Sequence, residues 1–422
     1  MTTNGLIPAG CWTLPPILQP RGFRRSGFRV KKTVRDLTLA GKRVFTRVDF
    51  NVPIDENGEI RDDTRIRAGL PTISYLLDNG AAVILASHLG RPKGRVKDSL
   101  RLNAVAKRLE ELLGRQVRKM DEVVGEGISR AAGELKAGDI LLLENVRFHP
   151  GEEKNDPELS RAYASLADIF ISDAFGAAHR AHASNAGIAS YLPAAAGLLM
   201  DAEIVNLSRA MHNPRRPLVA IVGGNKIADK IGVLTNFISL ADSLLLGGGM
   251  ANTFLRAKDY NMGRSLLEED KLTQAAELLR LATYNDLNLC LPVDLVVADK
   301  VDASAEAEVV TVESVPDDKM ALDIGPKTRE IFSRLIAEAG TIIWNGPLGV
   351  FEIDKFAQGT FAVARATAES DAFSIIGGGD VVSAVEKAGV AAMISHLSTG
   401  GGATLEFWEG KELPGIAVLN DC

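Results

Sequence analysis

From Lys42 onward, short runs of apolar residues alternate with helical patterns, and nearly every run ends in a cluster of glycines or of basic and amide side chains. Val44 to Val48, Ala82 to Ala86, Ile140 to Leu143 and Ile169 to Ile171 suit strands covered on both faces, because a strand buried on both sides loses the apolar/polar alternation of a half-exposed one. The rhythm resumes at Leu218 to Val222, Ser243 to Leu246, Leu289 to Leu291, Ile342 to Trp344 and Phe373 to Ile376. Leu102, Val105, Leu109 and Leu112 lie on one helical face between two runs, and Gly114 is placed to stop that helix. Such alternation predicts parallel sheets flanked by helices, with ligands gathered at the carboxyl ends of the strands.

At 422 residues the chain exceeds what one core usually supports, so two domains are expected. Asp201 to His212 reads as a connecting helix with Asp201 as cap, Glu203 in its first turn and Asn213-Pro214 as its stop. No apolar run approaches the roughly 20 residues that cross a membrane. Cys11, Cys290 and Cys422 are too few and too scattered for a disulfide framework, which suits a reducing, cytoplasmic setting. The leader is unlike the rest. Arg21, Arg24, Arg25, Arg29, Lys31, Lys32 and Arg35 precede the first acidic residue, and four prolines precede Arg21. Taking those seven from the 48 basic residues leaves 41 against 54 acidic ones, a body of charge −13. That balance argues against nucleic-acid binding and confines positive potential to local patches. Residues 1–31 read as a disordered basic leader; as a transit peptide they would instead imply an organelle, although they are Pro-rich and nearly Ser-free.

The first half concentrates basic groups after its strands. Asp49 and Asn51 follow the first run, and an ordinary turn would use the same residue types. Arg65 beside Asp62 and Asp63 fits a solvated ion pair equally well. Next come His88 and Arg91 on a Gly-containing loop, Arg147 after a further strand, and Arg180 between His179 and His182. A metal on the two flanking histidines lacks a third ligand at usable spacing. Each loop has a bland explanation alone; as a set in an acidic body, they call for a small, multiply charged anion.

The second half is built on glycine. Lys226 and Lys230 follow Gly223-Gly224, but no GxxxxGK[ST] exists, so a P-loop is excluded. Glycine triplets stand at Gly247 to Gly249, Gly377 to Gly379 and Gly400 to Gly402. They permit close backbone approach and leave N–H groups free at helix starts, which attract phosphate. Asp380 is either a magnesium ligand or a helix cap.

Read in order, RVDFNVP, SHLGRP, ENVRFH, AFGAAHRAH, DIGP, WNGPLGVFE, GGGD and STGGGA resemble the phosphoglycerate kinase family from about Lys32 onward. The resemblance implies two Rossmann-like α/β domains with parallel sheets, joined by an interdomain helix and hinge. On that basis residues 32–200 hold 3-phosphoglycerate or 1,3-bisphosphoglycerate, 201–213 connect, 214–404 hold ADP or ATP with Mg2+, and 405–422 return to the first domain. Carried over by motif, substrate contacts fall on Asp49, Asn51, Arg65, His88, Arg91, Arg147 and Arg180. Nucleotide contacts fall on Lys226, Lys230, Gly248, Gly249, Asn345, Glu352, Gly378, Gly379, Asp380 and Val381, with Asp380 as the metal ligand. Arg65, Lys226, Gly401 and Gly402 are the expected catalytic groups, and the family is usually monomeric. Two positions depart from its pattern. Val381 replaces a hydroxyl residue, from which we expect weaker nucleotide phosphate binding, and Asn225 replaces Ala or Ser. The competing readings are a noncatalytic nucleotide-binding scaffold and a kinase for another carboxylate such as acetate.

Overall fold

The computed structural model describes residues 31–422, so the basic leader lies outside the described residues apart from Lys31. Six strands, β1 (Arg43–Val48), β2 (Ala82–Ala86), β3 (Arg118–Lys119), β4 (Ile140–Leu142), β5 (Ile169–Asp173) and β6 (Ala194–Ala196), form a parallel sheet in the order β3-β4-β2-β1-β5-β6. In the second half, β7 (Leu218–Val222), β8 (Ser243–Leu246) and β9 (Asn288–Cys290) precede a three-stranded antiparallel sheet of β10 (Asp294–Ala298), β11 (Glu308–Thr311) and β12 (Met320–Ile324). After it, β13 (Thr341–Asn345), β14 (Phe373–Gly377) and β15 (His396–Ser398) complete a second six-stranded parallel sheet, ordered β15-β14-β13-β7-β8-β9. The central strands β2, β5, β7 and β13 are buried along their whole length, as continuous apolar runs require. The antiparallel sheet, β3, β6 and β15 were not anticipated from the sequence.

Helix Asn103–Leu113 ends at Gly114, whose φ of 61° places it in the left-handed region that a residue with a Cβ enters only with strain. The connecting helix spans Leu198–His212 and begins three residues before the expected start. Gly197, not Asp201, is its N-cap, because Asp173 at the end of β5 accepts hydrogen bonds from the N–H groups of Leu199 (3.0 Å) and Met200 (3.1 Å). Its inner face carries Ile204 and Leu207 into an apolar cluster that continues from Phe45 and Phe170 on one side to Leu234 and Phe237 on the other. The connector is therefore part of the core, and the two sheets share it.

Beyond the second sheet the chain returns to the first. Asn420 accepts from Lys32 N–H through its carbonyl (2.8 Å) and brackets Ala194 with a backbone and a side-chain hydrogen bond. Gly415 N–H donates to Ala178 (2.8 Å), while Leu413, Ile416 and Leu419 are buried. Among the described residues no helix is long and apolar enough to cross a membrane.

Candidate active site

Neighbouring strands β4, β2, β1 and β5 are parallel, so their carboxyl ends deliver four loops to one edge of the sheet. Asp49 and Asn51 follow β1, His88 and Arg91 follow β2, Arg147 follows β4 and Arg180 follows β5; Arg65 comes from the first turn of helix Thr64–Asp78. All seven line a single cavity of about 300 Å³, whose opposite wall is Gly400 to Gly402 from the second half of the chain. The loops are tied to each other as well. Asn51 Oδ1 accepts from Gly90 N–H (2.8 Å), Arg147 Nη1 donates to the Gly90 carbonyl (2.9 Å), and Arg65 Nη1 stands 3.2 Å from Asp49 Oδ2. Burial pushes the Asp49 carboxyl up, but neighbouring positive charge, with Arg65 and Arg47 contributing, outweighs it and holds it below the usual carboxylate range. Four guanidinium groups share this cavity with one carboxylate, a balance that favours an anionic guest.

Beneath it lies a buried network that sequence reasoning missed. Arg47, inside β1 and 1% exposed, donates from Nε to Ser184 Oγ (2.9 Å) and from Nη2 toward His88 Nδ1 (3.2 Å), and it also donates to the Val48 carbonyl. Glu152, fully buried, accepts from Ser184 Oγ (2.6 Å) and Ser184 N–H (3.1 Å). Burial drives His88 well below the ordinary imidazole range, and Arg47, Arg147 and Arg65 add to that against Asp49. His182 is pushed down to about 3 by burial and the same arginine field. Among the described residues no group of three or more His, Cys, Asp or Glu side chains is placed to hold a metal ion. A buried arginine in a strand interior looks from sequence like a solvated edge residue, so only its place directly before Val48-Asp49 hinted at it.

The second sheet repeats the geometry with different materials. Gly223 follows β7, Gly247 to Gly249 follow β8, Gly346 follows β13 and Gly378 follows β14. These loops interlock closely: a Cβ on Gly223 would meet the Pro347 carbonyl at 2.1 Å, and one on Gly248, where φ is +68°, would meet the Gly224 carbonyl at 2.8 Å. A cavity of about 520 Å³ lies against them, lined by Gly224, Gly248, Gly249, Glu352 and Asp380 on its polar side and by Leu266, Leu295, Met320 and Leu322 on its apolar side. The apolar wall comes largely from the antiparallel sheet, which supplies a slab against which a planar base can lie.

The remaining predicted nucleotide residues are placed less directly. Lys226 is exposed and lines neither cavity. Lys230 donates from Nζ to the Gly223 carbonyl (2.6 Å), and burial brings its pKa down to about 8 against the pull of Asp380 and Asp229. Asn345 is buried and donates from Nδ2 to the Gly377 carbonyl, bracing two glycine loops. Gly378 and Gly379 start helix Gly379–Lys387 at the rim. Val381 requires a correction: its side chain is fully buried in the cluster of Trp344 and Ile376, so the loss of a hydroxyl there cannot by itself weaken a phosphate contact.

A third feature joins the halves. Glu203, fully buried in the connecting helix, accepts at Oε1 from Thr399 N–H (2.7 Å) and Oγ1 (2.9 Å), and its Oε2 lies 2.8 Å from His396 Nε2. The loop leading to Gly400 is thus held by the connector; read from sequence, Glu203 was an ordinary first-turn acid.

The family model described as "Phosphoglycerate kinase" matches residues 34–411. A protein of Moorella thermoacetica named "Phosphoglycerate kinase" is 58% identical over 391 residues, which is 93% of this chain and 99% of that one. Among solved structures, phosphoglycerate kinase from Coxiella burnetii is 44% identical with a TM-score of 0.85, covering 92% of this chain and 98% of its own. The enzyme from Pyrococcus horikoshii OT3 is 35% identical with a TM-score of 0.81 at the same coverage.

Proposed function

Since the chain belongs to the phosphoglycerate kinase family, we propose that its two loop clusters divide one phosphoryl transfer between them. The activity is that of a kinase acting on the carboxyl group of 3-phosphoglycerate, and the noncatalytic scaffold is not favoured. The cavity of Asp49, Asn51, Arg65, His88, Arg91, Arg147 and Arg180 holds the acid substrate, and the cavity of Gly248, Gly249, Glu352 and Asp380 holds the nucleotide. Domains run over 32–200 and 214–404, the helix and the returning segment connect them, and the chain works as a cytoplasmic monomer. The observation that carries the assignment is the convergence of six scattered basic and amide residues, with Asp49, on one cavity that faces a glycine loop of the other half.

The chemistry needs no general base, because a carboxylate or an ADP phosphate oxygen is already deprotonated near neutral pH. What the residues must do is bring anions together in line and away from water. Arg65 balances charge on the transferring phosphoryl group from the acid side, with the Gly401 and Gly402 backbone facing it across the cavity. Lys226 reaches the transfer line from the loop after Gly224 as the halves close, and Lys230 keeps that loop drawn against Gly223. Asp380 is an exposed carboxylate on the nucleotide cavity that also attracts the Lys230 ammonium, and a single carboxylate fits Mg2+ that takes its other ligands from phosphate and water. When bound, Mg2+ neutralises phosphate charge. Closure about the ends of the connecting helix excludes water and completes the site.

The test is ATP formation from 1,3-bisphosphoglycerate and ADP by the purified protein. Turnover in the wild type, with loss in Arg65→Ala, supports the reading; a wild type inactive with this pair but active with acetyl phosphate refutes it.

A further inference from the structure

Glu152 is a fully buried acid beneath the anion cavity that the phosphoryl transfer does not use, and its contacts have a direction. Burial raises the Glu152 pKa, opposed by Arg47 and the two Ser184 hydrogen bonds; as a carboxylate it offers only acceptor oxygens, so Ser184 donates both its N–H (3.1 Å) and its single hydroxyl proton (2.6 Å) to it. The Ser184 oxygen is then left with lone pairs, and it accepts Arg47 Nε–H at 2.9 Å. That bond fixes the plane of the Arg47 guanidinium, whose Nη2 lies 3.2 Å from His88 Nδ1. A guanidinium has no acceptor. His88 Nδ1 must therefore accept, and the ring proton resides on Nε2.

We propose that Glu152, acting through Ser184 and Arg47, is a positioning residue that sets the tautomer of His88, so that a neutral imidazole presents Nε2–H as a donor within the acid-substrate cavity. A neutral donor has a use here. Arg65, Arg91, Arg147 and Arg180 already crowd the cavity with positive charge, and a fifth cation would repel them in the empty enzyme. An imidazole that accepted there would instead repel a carboxylate or phosphate oxygen. The relay avoids both and leaves His88 a hydrogen-bond donor without a charge. Tyr163, buried beside this group, packs its ring against Phe45 at 5.4 Å between centroids and encloses the relay in apolar surroundings.

The inference rests on the acid-site reading above, and its test separates the two. Long-range 1H–15N correlation on the nucleotide-free, 15N-labelled protein reports which ring nitrogen of each of the six histidines carries the proton; the His88 signal is assigned by its loss in His88→Gln. Wild type is expected to show Nε2–H at His88. In Glu152→Gln the side chain no longer accepts both Ser184 donors at separate oxygens, which disrupts the relay, and Ser184→Ala removes the hydroxyl link while keeping the acid. Both variants are expected to give a mixed or Nδ1–H signal at His88 and to raise KM for 3-phosphoglycerate about tenfold, while KM for ATP stays unchanged and kcat falls less than KM rises. Conservative Ser184→Thr keeps the hydroxyl and is expected to restore the Nε2–H signal. An Nδ1–H signal in wild type, or an unchanged His88 signal and KM in a folded Ser184→Ala, overturns the proposal. Failure of wild type to use 3-phosphoglycerate with the tautomer intact refutes the acid-site reading and leaves the relay standing.

Discussion

The two cavities occupy equivalent places, at the carboxyl edges of two parallel sheets, yet they are made of different matter. The first is a cage of charged side chains braced from below by buried polar groups, with Arg47, Ser184 and Glu152 behind His88 and Asn145 holding the Leu89 carbonyl and Arg147 N–H. The second is mostly backbone, with glycines packed so closely that a single Cβ would strike a neighbouring carbonyl. A small anion is recognised through its charge, which needs aimed cations; a nucleotide offers a long phosphate chain and a flat base, which need amides and a slot. Substitutions should therefore fail differently in the two halves.

Arg65→Ala gives the largest expected effect and is the sharpest challenge to the charge-built half. It should lower kcat by about 10³ while leaving the melting temperature nearly unchanged, since Arg65 is partly exposed and its partner Asp49 keeps His88 and Arg47 nearby. A drop of less than tenfold in steady-state kcat would move the charge-balancing role elsewhere. Gly248→Ala probes the other half. With φ at +68° and the Gly224 carbonyl in the path of a Cβ, it should destabilise the fold by on the order of 1–3 kcal/mol in denaturant titration and raise KM for ATP, with KM for 3-phosphoglycerate unchanged.

Lys230 blurs the contrast, being a half-buried cation set among the glycines. Its pKa of about 8 lies below the ordinary lysine value, so the cation is present below that pH and lost above it. kcat/KM for ATP in the free enzyme should consequently fall as pH rises through about 8. Asp380 raises that pKa, and Asp380→Asn should shift the Lys230 titration, followed by NMR of its side chain without nucleotide, to lower pH. An upward shift would contradict the electrostatic picture. The smallest effect is expected of Val381→Thr. Because that side chain is sealed against Trp344 and Ile376, KM for ADP should change by less than about twofold; a larger decrease would mean that the hydroxyl reaches the phosphates after all.

Central strands and strand-end residues were legible in the sequence because burial on both faces writes itself as an unbroken apolar run and the ligand edge follows from the parallel order. β3, β6 and β15 have only two or three residues each, too few for any period to show. The antiparallel sheet was hidden because its edge strand β11 is mostly exposed and mixes Glu308 with valines. Among the residues of the candidate site, the charged ones that line the cavity were readable at the strand ends. Arg47, Glu152 and Ser184 act through others, and nothing in a one-dimensional string marks which buried groups face each other across 32 to 137 positions. Val381 shows a complementary limit: a motif position names the residue that stands there, but not that its side chain is buried beside Trp344 and Ile376.

The returning segment has a further consequence, for the order of assembly. Residues 413–421 leave the translating ribosome after the whole nucleotide lobe, yet they close the edge of the sheet made earliest, at Lys32, Ala178 and Ala194. The lobe synthesised first must wait, with one seam open, until its sibling has been made, so the two halves mature as a stitched pair rather than as beads on a string.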